Sequence, residues 1–281
     1  MQTWQTTRFQ IDLSRPRVMG IVNITPDSFS DGGRHASTQA AIAHCERLLK
    51  EGADMLDLGG ESSRPGAAPL PLDEEQARVL PVLKAALSLG VPVSIDTYKP
   101  ETMRAALDLG VDIVNDIYAL RWPGAVEAVA AHPSCGVCLM HMQGEPQSMQ
   151  LKPIYGDVIT EVSAFLMDRV LALRGAGVRD DRIVLDPGIG FGKTVEHNLA
   201  LLARQRELLA LGHPLLVGWS RKSSLGTVTG RPVGERLVAS VVAALAAAQL
   251  GASVLRVHDV EATVDALKVG QAAGLLHNPG A

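Results

Sequence analysis

The sequence predicts a single (β/α)8 barrel that spans residues 1 to 281. Short apolar runs alternate with amphipathic helical segments eight times, and the runs are continuous, as in parallel strands buried on both faces. No shift of composition and no Ser-, Pro- or Gly-rich linker divides the chain. A length of 281 residues suits a barrel, which commonly needs about 250 residues as one domain. An open, doubly wound sheet is the alternative, because one sequence defines the strand number only to within one or two.

The predicted strands are short runs rich in Val, Ile, Leu and Met, each with a polar residue at or near its end. They cover Val18–Ile24, Met55–Leu58, Pro92–Ile95, Ile113–Val114, Gly136–Met140, Ile183–Leu185, Leu215–Gly218 and Val254–Val257. A further, antiparallel strand is predicted before the first of them, because Phe9, Ile11 and Leu13 alternate with polar residues. This strand would lead the chain into the barrel.

The segments between the strands have the spacing of amphipathic helices, as in Ala40–Ala53 and Glu74–Gly90. Asp73, Pro100 and Asp157 are predicted helix starts. Glycines stand where a helix needs a left-handed cap before the next strand. These glycines are Gly52, Gly90, Gly110, Gly177, Gly212 and Gly251. Each unit therefore has the order strand, loop, helix and glycine turn.

The composition argues against nucleic acid and membrane as partners. With 20% charged and 4% aromatic residues and a net charge of −4, the chain lacks the basic field and aromatic platforms of nucleic-acid binders. The longest apolar stretch, Val238–Leu250, is too short to span a bilayer, and the N-terminal residues contain no signal-peptide core. Cys45, Cys135 and Cys138 cannot all pair with one another, which favours a reducing compartment. We therefore expect a cytoplasmic protein.

Polar residues lie at or just after the carboxyl end of every predicted strand. They are Asn23, Asp57, Glu61, Asp96, Asn115, Asp116, His141, Asp186, the run from Ser220 to Ser223, Arg256 and His258. Any one of them is explained by ordinary turn chemistry. Because the carboxyl ends of barrel strands converge on one face, the whole set predicts an active site there.

Four of these residues suit a planar heterocycle. A carboxylate accepts two adjacent N–H donors side by side, as a ring N–H and a neighbouring amino group require. Asp96, Asn115 and Asp186 supply two carboxylates and an amide, and Lys222 adds a donor for a ring carbonyl or nitrogen. The sequence therefore predicts a flat, polar ring as ligand.

The remaining strand-end residues suit a phosphate or diphosphate. Arg256 and His258 are joined in this prediction by Asn23 and the hydroxyl-rich loop Glu61–Gly66. We expect this cationic, donor-rich group to lie opposite the acids.

Two other motifs are weaker. The segment Asp186–Thr194, DPGIGFGKT, is not a P-loop, because Pro187 stands where that loop needs glycine. We interpret its alternating glycines as room for backbone to approach a flat ligand. Cys135 and Cys138 form a CxxC, but without a second ligand pair it favours a buried strand over a zinc site.

Seven motifs, in order along residues 19 to 259, resemble the dihydropteroate synthase family. They are MGIVNITPDSFSDGG (Met19–Gly33), GGESSRPG (Gly59–Gly66), SIDTYKP (Ser94–Pro100), VNDI (Val114–Ile117), LDPGIGFGK (Leu185–Lys193), SRKS (Ser220–Ser223) and RVHD (Arg256–Asp259). One such motif is modest evidence, whereas seven in family order are specific. The resemblance implies a transferase that joins a pterin diphosphate to p-aminobenzoate.

The resemblance also implies roles for individual residues. These are pterin binding for Asp96, Asn115, Asp186, Lys222 and Arg256; diphosphate binding for Asn23, Ser63, Arg256 and His258; p-aminobenzoate binding for Lys222, Ser223, Phe191 and Pro65; and loop closure for Phe29, Asp31 and Arg64. Lys222, Arg256 and Asp186 are the implied catalytic residues, and Asn23 is implied to help hold Mg2+. Ser63 replaces the family's usual threonine, which keeps the hydroxyl and loses a methyl.

The implied reaction is an SN1-like displacement of diphosphate by the amine of p-aminobenzoate. It needs no covalent nucleophile, which agrees with the lack of a convincing Ser-His-Asp or Cys-His arrangement in the sequence. A homodimer is the family expectation.

Two other functions are weighed against this one. A pterin-dependent methyltransferase would share the barrel and the pterin site, but should lack the TPDSFSDGG and SRKS segments present here. A non-catalytic pterin-binding paralogue would be expected to have lost residues of the loops or of the anion site, such as Asp31, Arg64 and His258. Release of diphosphate that needs both substrates separates the three.

Overall fold

The barrel wall consists of eight short parallel strands. The computed structural model describes residues 2–24, 33–62 and 66–276, and the side chains of all of these except 33–36. A two-stranded hairpin, β1 (Thr3–Gln5) and β2 (Gln10–Asp12), precedes the wall. The wall strands are β3 (Arg17–Asn23), β4 (Met55–Gly59), β5 (Val93–Asp96), β6 (Ile113–Asp116), β7 (Gly136–Met140), β8 (Ile183–Asp186), β9 (Leu216–Val217) and β10 (Val254–Val257).

The helices surround this wall. They are α1 (Gly33–Lys50), α2 (Leu72–Ala86), α3 (Pro100–Asp108), α4 (Ala125–Ala130), α5 (Val158–Gly175), α6 (Val195–Ala203), α7 (Gln205–Leu209), α8 (Ser223–Thr229), α9 (Leu237–Gln249) and α10 (Val260–Ala272). Their apolar faces pack on the outward-facing strand residues, such as Val22, Leu58 and Leu255, in one large buried cluster. The main core therefore lies between the wall and the helices.

The strand order closes the wall into a barrel. Hydrogen-bonded neighbours run β8-β7-β6-β5-β4-β3-β10-β9, all parallel. A parallel bridge between Leu185 and Leu215 then joins β8 to the residue before β9. The predicted (β/α)8 barrel is confirmed, and the open, doubly wound sheet is wrong.

The N-terminal hairpin fills one end of the barrel. Trp4, Ile11 and Leu13 are buried and pack on inward-facing strand residues, among them Met19 and Met55. The Trp4 indole Nε1 donates a hydrogen bond to the carbonyl oxygen of Arg182 at 2.9 Å. The predicted antiparallel strand is confirmed for Ile11, whereas Phe9 precedes it and Leu13 follows it.

Helix ends follow the predicted chemistry with one exception. All six predicted cap glycines, from Gly52 to Gly251, have positive φ angles. Asp157 caps α5 by accepting a hydrogen bond from the Thr160 amide, and Pro100 begins α3. Asp73 is wrong as the start of α2, because Pro71 is the N-cap and Asp73 lies in the first turn. Within the described ranges, none of the helices is both long and apolar enough to cross a membrane.

Candidate active site

The site lies at the carboxyl end of the strands, above the apolar filling of the barrel. Inward-facing residues alternate along each strand, so Met55 in the filling is followed two residues later by Asp57 on the same face. Register places Gly59 beside Asp96, and Asp96 beside Asn115. The geometry of the wall thus brings distant sequence positions to one end.

Arg256 is the centre of this polar layer. Its Nε donates to Asp57 Oδ2 at 2.6 Å, and its Nη2 donates to Asp96 Oδ2 at 2.7 Å. Asp57 Oδ2 also accepts a hydrogen bond from Asn115 Nδ2 at 3.2 Å. The sequence placed Arg256 opposite the acids; this is corrected, because the guanidinium bonds to two carboxylates directly.

Two carboxylates share one guanidinium in this cluster. Burial raises the pKa of Asp96 to about 7, against the lowering effect of Arg256 and with a further increase from Asp57. Asp57 itself is fully buried, and its second oxygen, Oδ1, has no hydrogen-bond partner among the described residues. Sequence reasoning named Asp57 only as a strand-end residue and gave it no role. The sequence feature that could have indicated a role for Asp57 is its position two residues after Met55, on the inward face of the strand.

Asp186 and Lys222 form the second half of the layer. Asp186 ends β8 and accepts a hydrogen bond from the Gly188 amide at 2.7 Å. Burial raises the pKa of Asp186, and the hydrogen bond and the Lys222 charge oppose this. Burial lowers the pKa of Lys222 to about 8, as does Arg256, while Asp186 and Asp96 raise it. Lys222 therefore interacts electrostatically with both Asp96 and Asp186, the two acids predicted to bind the ring.

Phe191 stands beside this pair. It is buried, and the Lys222 ammonium lies 4.2 Å from the centre of its ring. Ser223 is the exposed first residue of α8, directly after Lys222. The predicted residues Lys222, Ser223 and Phe191 are therefore neighbours at one side of the barrel mouth.

A strained turn presents Lys222. Arg221 has a φ of 59°, in the left-handed region that non-glycine residues rarely adopt. Its guanidinium makes two hydrogen bonds to Asp259, at 3.1 and 2.6 Å, and its amide donates to Ser240 Oγ at 2.9 Å. Interactions on both sides thus hold the turn in place.

The loop after Asp186 packs on the segment that follows β7. A Cβ on Gly188 would lie 1.9 Å from the His141 carbonyl oxygen, and one on Gly192 would lie 2.3 Å from that of Gln143. The predicted reason for these glycines, room for a ligand, is corrected: contact with protein backbone excludes a side chain at both positions. Sequence could not reveal this, because the contacting residues lie more than forty positions away.

Lys193 binds the same loop through its side-chain ammonium group. Its Nζ lies 2.8 Å from His141 Nδ1 and donates to the carbonyl oxygens of Gly188 and Phe191 at 3.0 and 3.1 Å. Burial lowers the pKa of Lys193 to about 7, and burial together with Lys193 lowers that of His141 to about 2. His141 was predicted among the strand-end residues and is here a neutral partner of a buried lysine.

The predicted anion-binding residues lie on neighbouring strands. Asn23 ends β3, and His258 follows β10, which pairs with β3. Burial, Arg256 and Arg221 lower the pKa of His258 to about 3, so its ring is neutral at physiological pH. Glu61 does not join this group as predicted, because it forms an ion pair with Lys99 and accepts a hydrogen bond from Tyr98. Phe29, Asp31, Ser63, Arg64 and Pro65 lie outside the described residues.

The cysteines are buried and unpaired. Cys138 faces the apolar filling of the barrel, and Cys135 contacts the Arg182 guanidinium. Among the described residues, no three His, Cys, Asp or Glu side chains are grouped so that they could hold a metal ion.

Fold and site together define a class. A (β/α)8 barrel whose mouth combines buried carboxylates, an amide, a lysine and an arginine is an α/β-barrel enzyme for a polar, planar ligand. The sequence profile of the pterin binding enzyme family matches residues 19–258. The chain belongs to this family.

Dihydropteroate synthases are among its relatives. That of Neisseria meningitidis serogroup B is 52% identical over 278 residues, 97% of this chain and 98% of its own. The crystal structure of Burkholderia cenocepacia dihydropteroate synthase complexed with 7,8-dihydropteroate is 51% identical, with a TM-score of 0.88 over 97% of this chain and 96% of that one. The Xanthomonas albilineans enzyme with 4-aminobenzoic acid is 52% identical, with a TM-score of 0.89 over 94% and 95% of the two chains.

Proposed function

We propose that the protein condenses 6-hydroxymethyl-7,8-dihydropterin diphosphate with p-aminobenzoate to give 7,8-dihydropteroate and diphosphate. The amine nitrogen forms a bond to the pterin methylene carbon, the carbon–oxygen bond to diphosphate breaks, and its electron pair leaves with the diphosphate. The amine then gives up a proton. The observation that carries the proposal is the single layer of Asp96, Asn115, Asp186, Lys222 and Arg256 at the barrel mouth. Relatives with this product and with 4-aminobenzoate support it.

The pterin ring occupies this layer in our proposal. Ionised Asp96 and Asp186 accept its ring N–H and amino donors, Asn115 supplies an amide, and Lys222 donates to a ring carbonyl or nitrogen. Fixed carboxylates also favour the positive charge that develops on the ring when diphosphate leaves. Arg256 lies against the ring.

The diphosphate lies beside Arg256 and His258, and Asn23 ends the strand that pairs with β10. Ser63 is assigned to the diphosphate from the family resemblance alone. Arg256 supplies charge and His258 a neutral N–H donor. Asn23 would help to hold Mg2+ here through its amide oxygen, because Mg2+ prefers hard oxygen ligands and usually binds through one or two protein groups plus substrate phosphates. When bound, Mg2+ would neutralise charge on the leaving group.

The p-aminobenzoate site adjoins Lys222. We assign it to Lys222, Ser223 and Phe191, with Pro65. The loops that carry Phe29, Asp31 and Arg64 would close over both substrates and exclude water, which would otherwise react with the cation.

The test is release of diphosphate by the purified full chain. We expect release only when both the pterin diphosphate and p-aminobenzoate are present, with 7,8-dihydropteroate formed in equal amount. Arg256→Ala should abolish most of it, whereas Arg179→Ala, which removes an exposed arginine, should not. Release that ignores p-aminobenzoate, or methyl transfer to a corrinoid protein, would contradict the proposal.

We also propose a homodimer formed through α9. Leu237, Val238 and Val242 are exposed on this helix, and Val228 on α8 and Val233 before α9 are exposed as well. A second copy would cover this face by a two-fold contact. Light scattering should give twice the chain mass for the wild type and the chain mass for Val238→Lys with Val242→Glu; a wild-type monomer at micromolar concentration would refute the dimer.

We place the protein in the cytoplasm. Cys45, Cys135 and Cys138 are buried thiols without a disulfide, which suits a reducing compartment.

A further inference from the structure

Two of the segments at the barrel mouth are joined by paired contacts. Ser220, in the turn after β9, contacts His258, which follows β10. The next residues along each segment, Arg221 and Asp259, form an ion pair with two hydrogen bonds. The relative position of Ser220 and His258 is thus fixed by backbone and by a neighbouring ion pair.

The Ser220 hydroxyl makes two contacts with the same histidine. The His258 backbone N–H donates to Ser220 Oγ at 3.1 Å, and His258 Nδ1 lies 3.0 Å from the same oxygen. Ser220 is buried, and its Oγ makes no other hydrogen bond with the described residues. The hydroxyl proton therefore has one available acceptor within this part of the chain, the Nδ1 of His258.

This arrangement decides which ring nitrogen carries the proton. If Nδ1 were protonated, Ser220 Oγ would accept two hydrogen bonds and its own buried proton would have no acceptor, which costs about 1–3 kcal/mol. If Ser220 donates to Nδ1, every polar hydrogen of the pair is satisfied, and the ring proton sits on Nε2. The second arrangement is the stable one.

We propose that Ser220 is a positioning residue that holds the His258 imidazole in its neutral, Nε2-protonated form and in one orientation. Resting on the proposed function, the consequence is that Nε2–H is a directed donor to an oxygen of the leaving diphosphate. Ser220 itself need not touch the substrate.

The charges around His258 agree with a neutral ring. Arg256, Arg221 and Lys222 disfavour the imidazolium and Asp259 favours it; with burial, the cations lower the pKa to about 3. Positive charge at the leaving group would therefore come from Arg256 and from bound metal. His258 would contribute an uncharged hydrogen-bond donor that points in a fixed direction. This division of roles differs from that of a histidine that acts as a general acid.

The tautomer can be measured without substrate. In the 15N-histidine-labelled full chain, with His258 assigned through His258→Gln, we expect one tautomer with a bare Nδ1 and a protonated Nε2. Ser220→Ala should lose the single orientation and give averaged or mixed signals. Ser220→Thr, which keeps the hydroxyl, should retain the wild-type pattern. A protonated Nδ1 in the wild type, alone or with Nε2, would overturn the proposal.

Binding of inorganic diphosphate, measured by calorimetry in the presence of Mg2+, tests the positioning role of Ser220. Ser220→Ala should weaken it roughly tenfold, the size of one lost hydrogen bond, with the KM for p-aminobenzoate unchanged. Ser220→Thr should restore the affinity. Ser94→Ala is the matched control, since Ser94 is another buried serine at the barrel interior and its hydroxyl has no partner among the described residues.

The outcomes separate this inference from the proposed function. Equal diphosphate affinity in the wild type and Ser220→Ala would refute the positioning role even if synthase activity is present. Conversely, a chain without synthase activity would refute the proposed function, while the tautomer and the diphosphate affinity would still decide the role of Ser220. A variant that is merely less stable would lower the melting temperature and leave the wild-type tautomer in place.

Discussion

At the scale of single residues, each acid of the site already has a protein partner. Asp57 and Asp96 share Arg256, and Asp186 accepts the Gly188 amide. These partners hold the carboxylates in fixed directions before a ligand arrives, which lowers the cost of organising the site on binding. Burial raises the pKa values of Asp96 and Asp186, and Arg256 and the Gly188 amide respectively oppose this, so substitution and pH should affect binding in distinguishable ways.

Asp186→Asn should weaken pterin binding far more than it destabilises the fold. The asparagine Oδ1 can still accept the Gly188 hydrogen bond, but the charge that meets the ring donors is gone. A hydrogen bond to a charged group contributes about 1.5–3 kcal/mol, so we expect roughly a ten- to hundredfold loss of affinity by calorimetry. Asp181→Asn, at an exposed ion pair, is the control. Unchanged affinity in a folded Asp186→Asn protein would refute the assignment.

Pterin affinity should be highest between about pH 7 and pH 8. Asp96 must be ionised to accept donors, and burial raises its pKa to about 7, so affinity should rise as pH increases toward 7. Lys222 must be protonated to donate, and burial lowers its pKa to about 8, so affinity should fall above that pH. On each side of this range, pterin affinity should change by up to roughly tenfold per pH unit.

Fluorescence titration of the pterin from pH 5 to pH 10 would give this profile. Asp96→Asn should reduce the acidic limb, and it should move the alkaline limb to lower pH because Asp96 raises the pKa of Lys222. A change in both limbs separates the Asp96 effect from titration of the ligand itself. A flat wild-type profile would show that neither group controls binding.

At the scale of elements, the segment from Asp186 to Lys193 depends on glycine because it packs against backbone. Gly188 and Gly192 have positive φ angles and lie against the segment after β7, while Lys193 binds the loop carbonyls from inside. The loop therefore has little freedom, and the position of Asp186 at its start depends on it.

Gly188→Ala should displace this loop. Its Cβ would lie 1.9 Å from the His141 carbonyl oxygen, and neither backbone can move away easily. We expect a loss of several kcal/mol in the free energy of unfolding, on the order of a large core substitution, together with weaker pterin binding. Both can be measured by urea unfolding and calorimetry.

Gly90→Ala is its matched control. Gly90 also has a positive φ, 75°, but a Cβ there would meet nothing within 4 Å. Gly90→Ala should lower the free energy of unfolding only by the backbone strain, about 1–2 kcal/mol, and pterin affinity should be unchanged. Equal effects of the two substitutions would contradict a role for the His141 contact.

Most elements could be predicted because their signals are local. Continuous apolar runs mark strands buried on both faces, and a glycine such as Gly90 marks a left-handed helix end, whatever lies elsewhere in the chain. The strand-end positions also predicted which residues would lie close together, because the carboxyl ends of all barrel strands are at the same end of the barrel.

Side-chain partners in the site could not be predicted in the same way. The Arg256–Asp96 bond joins residues 160 positions apart, and the Ser220–His258 contact joins residues 38 apart. Whether Arg256 faces the acids or only a ligand depends on distances across the barrel, which no local pattern contains. Asp57 was assigned no role for the same reason: its partners lie on β6 and β10.

At the scale of the whole molecule, the barrel separates stability from function. The hairpin closes one end, inward-facing apolar residues fill the middle, and the polar layer occupies the other end. Substitutions in the hairpin should therefore change the free energy of unfolding without changing the affinity for the ligand.

Trp4→Ala tests this separation. Trp4 is fully buried in the apolar filling and donates a hydrogen bond to the Arg182 carbonyl, so its truncation leaves a large cavity and an unpaired buried oxygen. We expect a loss of about 3–5 kcal/mol in the free energy of unfolding, measured with urea. Phe9→Ala, a half-buried residue next to the same cluster, should cost less. Below the melting temperature of each variant, calorimetry should give wild-type pterin affinity for both. A tenfold loss of affinity in folded Trp4→Ala would show instead that the hairpin and the polar layer are coupled through the filling, and that the strand tips depend on how the opposite end of the barrel is closed.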